Sequence, residues 1–259
     1  MPAAEDTKSL SPAVERTIRL LRLLESKPTH RFTLSEISRA LKIPKSTALN
    51  ISTVLVEGQL VRRTEDGYQL GRRLVQLGSA YVNSVDLVRE FYDLCRRAPE
   101  DLDAMIQMAV LDEELNAVYL ARQDLNSGLR LGLRQEIGRR VPANCTGIGK
   151  ALLAALPSAE LERRLIGVRT LPTLTDKSIS SPAQLREKLE KIRKAGHALD
   201  QEEVLPGVSC VACAAHTSHR EDGLVGISIT ARTETMTPER WDRNRDLVLS
   251  MMRTFQEQL

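Results

Sequence analysis

TLSEISRALKIPKSTALNISTVLVEGQLVRR, residues 33–63, decides how the first third of this 259-residue chain folds. Thr33 and Glu36 stand three apart ahead of Ile37, Ala40 and Leu41, the spacing of a capping box in which each side chain answers a free backbone amide. A short helix follows. Lys42-Ile43 breaks it and Pro44 opens another, KSTALNISTVLVEG, with Leu49, Val54, Leu55 and Val56 expected inward, Lys45, Ser46, Thr47 and Asn50 polar near its start, and Gly58 as its stop. Upstream, Ser11 caps and Pro12 begins a helix whose Val14, Ile18, Leu21 and Leu24 form one apolar stripe. Downstream, residues 60–63 and 68–70 read as strands around Asp66-Gly67, a dipeptide suited to a tight turn with positive φ.

Three short helices and a hairpin make a winged helix-turn-helix. The third helix fits the DNA major groove and carries small polar residues where base edges lie, while Arg62 and Arg63 on the wing can meet phosphates. Charge agrees with this reading. The formal net charge is +3, yet residues 1–80 hold 13 Lys/Arg against 8 Asp/Glu and the remainder 24 against 26, so the basic excess sits in the first part alone. A small helical protein-interaction domain is the alternative that the same three-helix core allows.

SLSPAVERTIRLLRLLES, the stretch quoted above and DGYQLGRRLVQLG resemble the DNA-binding half of the IclR family of bacterial transcriptional regulators. The second half resembles the same family through VPANCTGIGKALLAAL, Leu171-Pro-Thr-Leu-Thr175, IRKAGHALDQEEV from Ile192, and PGVSCVA from Pro206. The resemblance runs from Ser11 to Leu259. It implies an α+β chain: a winged helix-turn-helix, a linker helix, and a GAF-like α/β ligand-sensing domain with an antiparallel sheet, in homodimers or dimers of dimers. The expected division is a flexible N-terminus over 1–10, the DNA-binding domain over 11–71, the linker helix over 72–84, and the effector-binding domain over 85–259. One departure concerns base reading. The family most often has arginine where this chain has Asn50, and leucine where it has Ser52. An asparagine amide matches adenine N6 and N7, so the operator is expected to differ from those common in the family.

The linker stretch carries Leu74, Leu77 and Tyr81 at helical spacing, an apolar stripe that a partner chain would cover, and Asp86 restarts a helix through Phe91, Leu94 and Cys95. Two reading heads related by symmetry call for a palindromic duplex. Farther on, strands are expected over 105–110, 115–121, 129–133, 208–215 and 224–230. Helices are expected over 149–156, 158–165 and 181–195, all on one face of the sheet.

CVACAAHTSH, residues 210–219, spaces Cys210, Cys213, His216 and His219 by three and raises the question of zinc. A strand through 208–215 answers against it, because alternation sends Cys210 and Cys213 to opposite faces, and zinc sites normally separate their Cys and His pairs by a long loop. No metal or other cofactor is expected. The resemblance places small-molecule sensing at Asp200, Cys210, Ser228 and Thr230, closed by the turn carrying Gly147, Ile148 and Gly149. The chemistry is intelligible by itself. Glycines let helix-opening amides approach a carboxylate, Ser228 and Thr230 share a strand face, and Asp200 accepts from a ligand hydroxyl or amine.

The function expected is therefore a repressor whose operator affinity a small organic acid controls, with no catalytic residues. The alternatives are an enzyme with Cys210 as nucleophile and His197 or His216 as base, and a zinc or redox sensor built on Cys210, Cys213, His216 and His219. No apolar run of about 18 residues is present and the N-terminus lacks a signal-peptide layout, so no membrane partner is expected and the cytoplasm is the expected location, with reduced thiols.

Overall fold

The capping box forms: Thr33 Oγ1 accepts from the Glu36 amide at 3.3 Å and Glu36 Oε2 accepts from the Thr33 amide at 2.7 Å, opening α2 (Leu34–Leu41). The structure, a computed structural model, describes residues 10–84, 86–125, 137–217 and 223–258, and the chain divides into two compact units, Met1–Ser84 and Val85–Leu259.

In the first unit, α1 (Pro12–Ser26), α2 and α3 (Lys45–Glu57) enclose a core of Leu20, Leu24, Phe32, Ile37, Leu41, Ala48, Leu55, Val61 and Tyr68. Two helices sit rotated from the expected faces. On α1, Leu20 and Leu24 point inward while Val14 and Ile18 are exposed. On α3, Ala48, Ser52 and Leu55 are buried, whereas Leu49 and Val54 are exposed. Small residues at 48 and 52 let the helices approach closely, which larger side chains at those positions would prevent. Gly58 caps α3 in an ordinary helical conformation, and the left-handed residue that turns the chain is Gln59, with φ of 58°. The hairpin pairs β1 (Val61–Thr64) with β2 (Gly67–Leu70), Thr64 opposite Gly67, so the turn centres on Glu65-Asp66 and not on Asp66-Gly67. Gly67 serves another purpose. A Cβ there would stand 2.6 Å from the Phe32 carbonyl oxygen, and Phe32 pairs with Tyr68 through an isolated antiparallel bridge beside the two-stranded wing. Then α4 (Arg73–Ser84) leads out of this unit.

The second unit holds a six-stranded antiparallel sheet, ordered β5-β4-β3-β8-β7-β6, from β3 (Ala104–Leu111), β4 (Asn116–Leu125), β5 (Arg140–Pro142), β6 (Ala198–Gln201), β7 (Val208–His216) and β8 (Leu224–Arg232). The helices are α5 (Asp86–Arg96), α6 (Gly147–Ala155), α7 (Ser158–Leu165), α8 (Pro182–Ala195) and α9 (Pro238–Gln258). They cover both faces, against the expectation of one. α6 lies across β3, β6, β7 and β8 with α8 behind it, and α9 crosses β7 and β8 from the other side with α5 beside it. The physical reason is legible in β7, VSCVACAAH, whose small apolar residues run without polar alternation because both of its faces are buried. The expected strand over 129–133 lies outside the described residues.

Candidate functional site

Two constellations carry chemistry. In the first unit, Lys42 takes φ of 56° and ends α2, with its amide bonded to the Arg39 and Ser38 carbonyls, and Ser38 Oγ donates to the Ile43 carbonyl at 2.7 Å. This short turn delivers Pro44 as the N-cap of α3, where no side chain caps the first amides. Lys45, Ser46 and Asn50 are exposed and Thr47 is half-buried, so the first turns of α3 present a polar face to solvent. Ser52 is fully buried beneath them and its Oγ has no hydrogen-bond partner.

Arg62 and Arg63 are both exposed but occupy adjacent positions of β1, so they point to opposite faces of the ribbon. Arg62 Nη2 donates to Gln69 Oε1 at 3.0 Å, and the Gln69 amide donates to the Thr29 carbonyl at 3.2 Å, which orients that guanidinium. At the wing tip Arg31 pairs with Asp66.

In the second unit, α6 begins under a built-in cap: Thr146 Oγ1 accepts from the Gly149 amide at 2.7 Å, and Gly147 packs closely on Cys210. A Cβ on Gly147 would lie 2.6 Å from Cys210 Sγ, and one on Gly149 would collide with the Ala143 backbone. Both glycines therefore serve close packing of the helix on its own protein, and the Gly149 amide is already engaged there. Ile148 is buried in the core beneath α6.

Register brings the expected sensing residues to one face of the sheet. Asp200 pairs with Cys210, Cys210 with Thr230, and Ser228 with Gln107, while Thr230 Oγ1 donates to Gln107 Oε1 at 3.0 Å. Asp200, Cys210, Ser228 and Thr230 are all buried, the last two on a central strand and not at an edge. Asp200 Oδ1 accepts from the Glu203 amide at 2.7 Å, and Glu203 pairs with Lys150, which is fully buried. One Glu203 oxygen, Oε2, has no partner. Burial pushes the Asp200 carboxyl up to about 7, a rise that the Glu203 amide and the Lys150 charge partly offset. Burial, and then the Cys210 and Asp200 charges, also push the Tyr119 hydroxyl up.

Glu203, Thr146, Gln107 and Tyr119 belong to this cluster without having been singled out from the sequence, and Lys150, where the turn expected to close the site ends, joins them. A threonine just ahead of the Gly147 turn is a readable cap; nothing in the sequence reveals that Lys150 meets an acid 53 residues away. The zinc question resolves geometrically, because Cys213 Sγ donates to the Val248 carbonyl of α9 at 3.3 Å, while Cys210 faces α6 across the sheet. His219 lies outside the described residues.

A family model described as the IclR helix-turn-helix domain matches residues 13–65, and one described as the bacterial transcriptional regulator IclR C-terminal domain matches residues 79–256. The chain belongs to the IclR family. The transcriptional regulator XynR of Escherichia coli K12 is 30% identical, over 85% of this chain and 86% of its own. The transcriptional repressor IclR of the same organism is 28% identical, over 88% and 83%. The crystal structure of an IclR homologue of Microbacterium hydrocarbonoxydans, complexed with 4-hydroxybenzoate, shares the fold with a TM-score of 0.75 at 19% identity, covering 95% of this chain and 100% of that one.

This IclR-family chain is thus a DNA-binding transcriptional regulator and not an enzyme. The cysteine-enzyme alternative also fails on electrostatics. Burial first, and then the Asp200 charge, drive the Cys210 thiol far above the ordinary range, opposite to what a nucleophile needs. Among the described residues no helix is long and apolar enough to cross a membrane.

Proposed function

We propose that this regulator works in the cytoplasm as a repressor, binding a palindromic operator as a homodimer or dimer of dimers, and that a small hydroxylated or keto carboxylate sets its operator affinity. Residues 11–71 read the duplex through Lys45, Ser46, Thr47 and Asn50, with Arg62 and Arg63 on phosphates. Residues 72–84 link to an effector unit over 85–259. Pairing of chains is supported by apolar side chains that one chain leaves in water, Val75 at 72%, Leu77 at 48% and Tyr81 at 55% exposure on α4, and Val14 at 56% on α1.

The observation that carries the effector reading is the buried polar face under α6. A packed core has no need of Asp200, a Glu203 oxygen without a partner, Ser228 and Thr230 gathered on one side of a sheet, and such groups are costly unless they bind something. The effector takes the sheet face that carries Cys210, Ser228 and Thr230, beside the Gly147-Ile148-Gly149 turn, which must lift off Cys210 to admit it. Because the Gly149 amide is engaged, its carboxylate meets the Ser228 hydroxyl, joined by that of Thr230 once it turns from Gln107 Oε1, while Asp200 and Glu203 accept from a hydroxyl at its other end. The 4-hydroxybenzoate bound by the Microbacterium homologue carries both groups.

A thermal-shift screen of small carboxylates tests this, since a ligand of the folded state alone raises its melting temperature. The hit should lose about tenfold or more in affinity in the Ser228→Ala, Thr230→Val double variant, whose operator affinity without ligand stays unchanged. A hit that binds the double variant as tightly as the wild type overturns the placement.

A further inference from the structure

The outward face of α3 is not wholly polar. Leu49 was expected in the core, yet it is 41% exposed, next in sequence to Asn50 and one turn from Ser46, on the flank of the helix between buried Ala48, Ser52 and Leu55 and the outward Ser46 and Asn50. One turn farther along the same face is Thr53. Its hydroxyl donates to the Leu49 carbonyl at 2.9 Å, so its hydrogen is spent on the helix, leaving an acceptor oxygen and the methyl group for a partner. Leu49 and Thr53 therefore form an i, i+4 apolar ridge on the surface of the third helix, flanked by the amide of Asn50.

We infer that Leu49, supported by the Thr53 methyl, is a specificity-determining residue that packs on the 5-methyl group of a thymine in the major groove, beside the base pair whose adenine Asn50 reads. The inference rests on the reading of α3 as the base-contacting helix. Only thymine presents a methyl group among the base edges of that groove, and an aliphatic side chain has no hydrogen bond with which to read any other base. The contact also answers why a leucine is left in water on a helix whose remaining exposed residues in its first turns are Lys45, Ser46 and Asn50. The two adjacent side chains together prefer an A·T-rich step, Asn50 by amide pairing and Leu49 by methyl burial.

The full chain is used to select duplexes from a random library, and each thymine of the selected half-site is then replaced by deoxyuridine, which removes the 5-methyl group and nothing else. Burying one methyl group corresponds to about fourfold in affinity for each half-site. Wild-type protein should lose that factor at one thymine, Leu49→Ala should bind the parent duplex more weakly and be indifferent to the same replacement, and Leu49→Met should keep the sensitivity. Thermal melts confirm that both variants fold. If no replacement weakens the wild type, or if Leu49→Ala shows the same loss, the inference is wrong while operator reading stands. Selection that enriches no duplex at all defeats the operator reading itself.

Discussion

The two helix starts that carry this protein's chemistry are built in opposite ways. α3 opens at Pro44 with no capping side chain and with Lys45, Ser46 and Asn50 in water, whereas α6 opens under Thr146, with the Gly149 amide on Thr146 and Gly147 packed on Cys210. The same contrast holds for acids. Exposed Glu36 is held down to about 2, mainly by hydrogen bonds from Thr33, while buried Asp200 is pushed up to about 7. Polar groups kept in water suit a polyanion that arrives with its own charge, and their effect is salt-sensitive. Polar groups kept out of water suit a small molecule that replaces their missing partners, and their effect is pH-sensitive.

The largest expected effect breaks or sustains the buried side of that contrast. Asp200 holds its proton to about pH 7 when folded and loses it near the ordinary carboxylate range when unfolded. Between those values the folded chain binds more protons, so stability falls as pH rises through the window and levels off above about 7. The span is on the order of 4 kcal/mol. Lys150, Glu203, Cys210 and Tyr119 are the ionisable groups around it. Denaturant unfolding of wild type and Asp200→Asn from pH 4.5 to 8 should show the difference growing in favour of the variant, and a constant difference would place the Asp200 carboxyl in the ordinary range.

Next in size is Gly149→Ala. The added Cβ meets the Ala143 backbone, which cannot rotate aside as a side chain could, and about 3 kcal/mol of stability should be lost. Ser46→Ala on α3, in the same kind of position but exposed, should change stability by less than about 0.5 kcal/mol. Equal melting temperatures for the two variants would mean that α6 does not rest on Ala143.

On the exposed side, Asn50→Ala should cost about 1 to 3 kcal/mol on a selected operator and less on random duplex, whereas Arg62→Ala should weaken both. Equal losses from Asn50→Ala on both duplexes remove its reading role. The smallest effect is that of Lys45→Ala, which should reduce the slope of log affinity against log salt by about 1 if Lys45 meets a phosphate; fluorescence anisotropy over a salt series gives that slope directly.

Legibility in the sequence followed the range of the forces involved. Local signals were read well: the Thr33-Glu36 box, Pro182 after the Ser181 cap, and residues 158–165 as a helix are all present. Strand alternation correctly separated Cys210 from Cys213. Faces were read less well. On α3, larger apolar residues drew the inward direction toward Leu49 and Val54, while packing had selected Ala48 and Ser52 for their small size. The four-residue β6 was too short to carry a period, and α9 hid Val248, Met251, Met252 and Phe255 among many charges. Least legible was the Lys150, Glu203 and Asp200 cluster, since a buried lysine follows from tertiary contact alone.

Regulation requires coupling between the two units, and coupling is reciprocal: whatever factor the effector applies to operator binding, the operator applies to effector binding. Isothermal calorimetry of the carboxylate found by thermal shift, titrated into free protein and into protein saturated with its selected duplex, measures this factor. Effector binding to the operator complex should be weaker, by the same factor by which the effector weakens operator binding. Equal effector affinity in the two titrations would contradict it, leaving a bound carboxylate that does not regulate DNA binding.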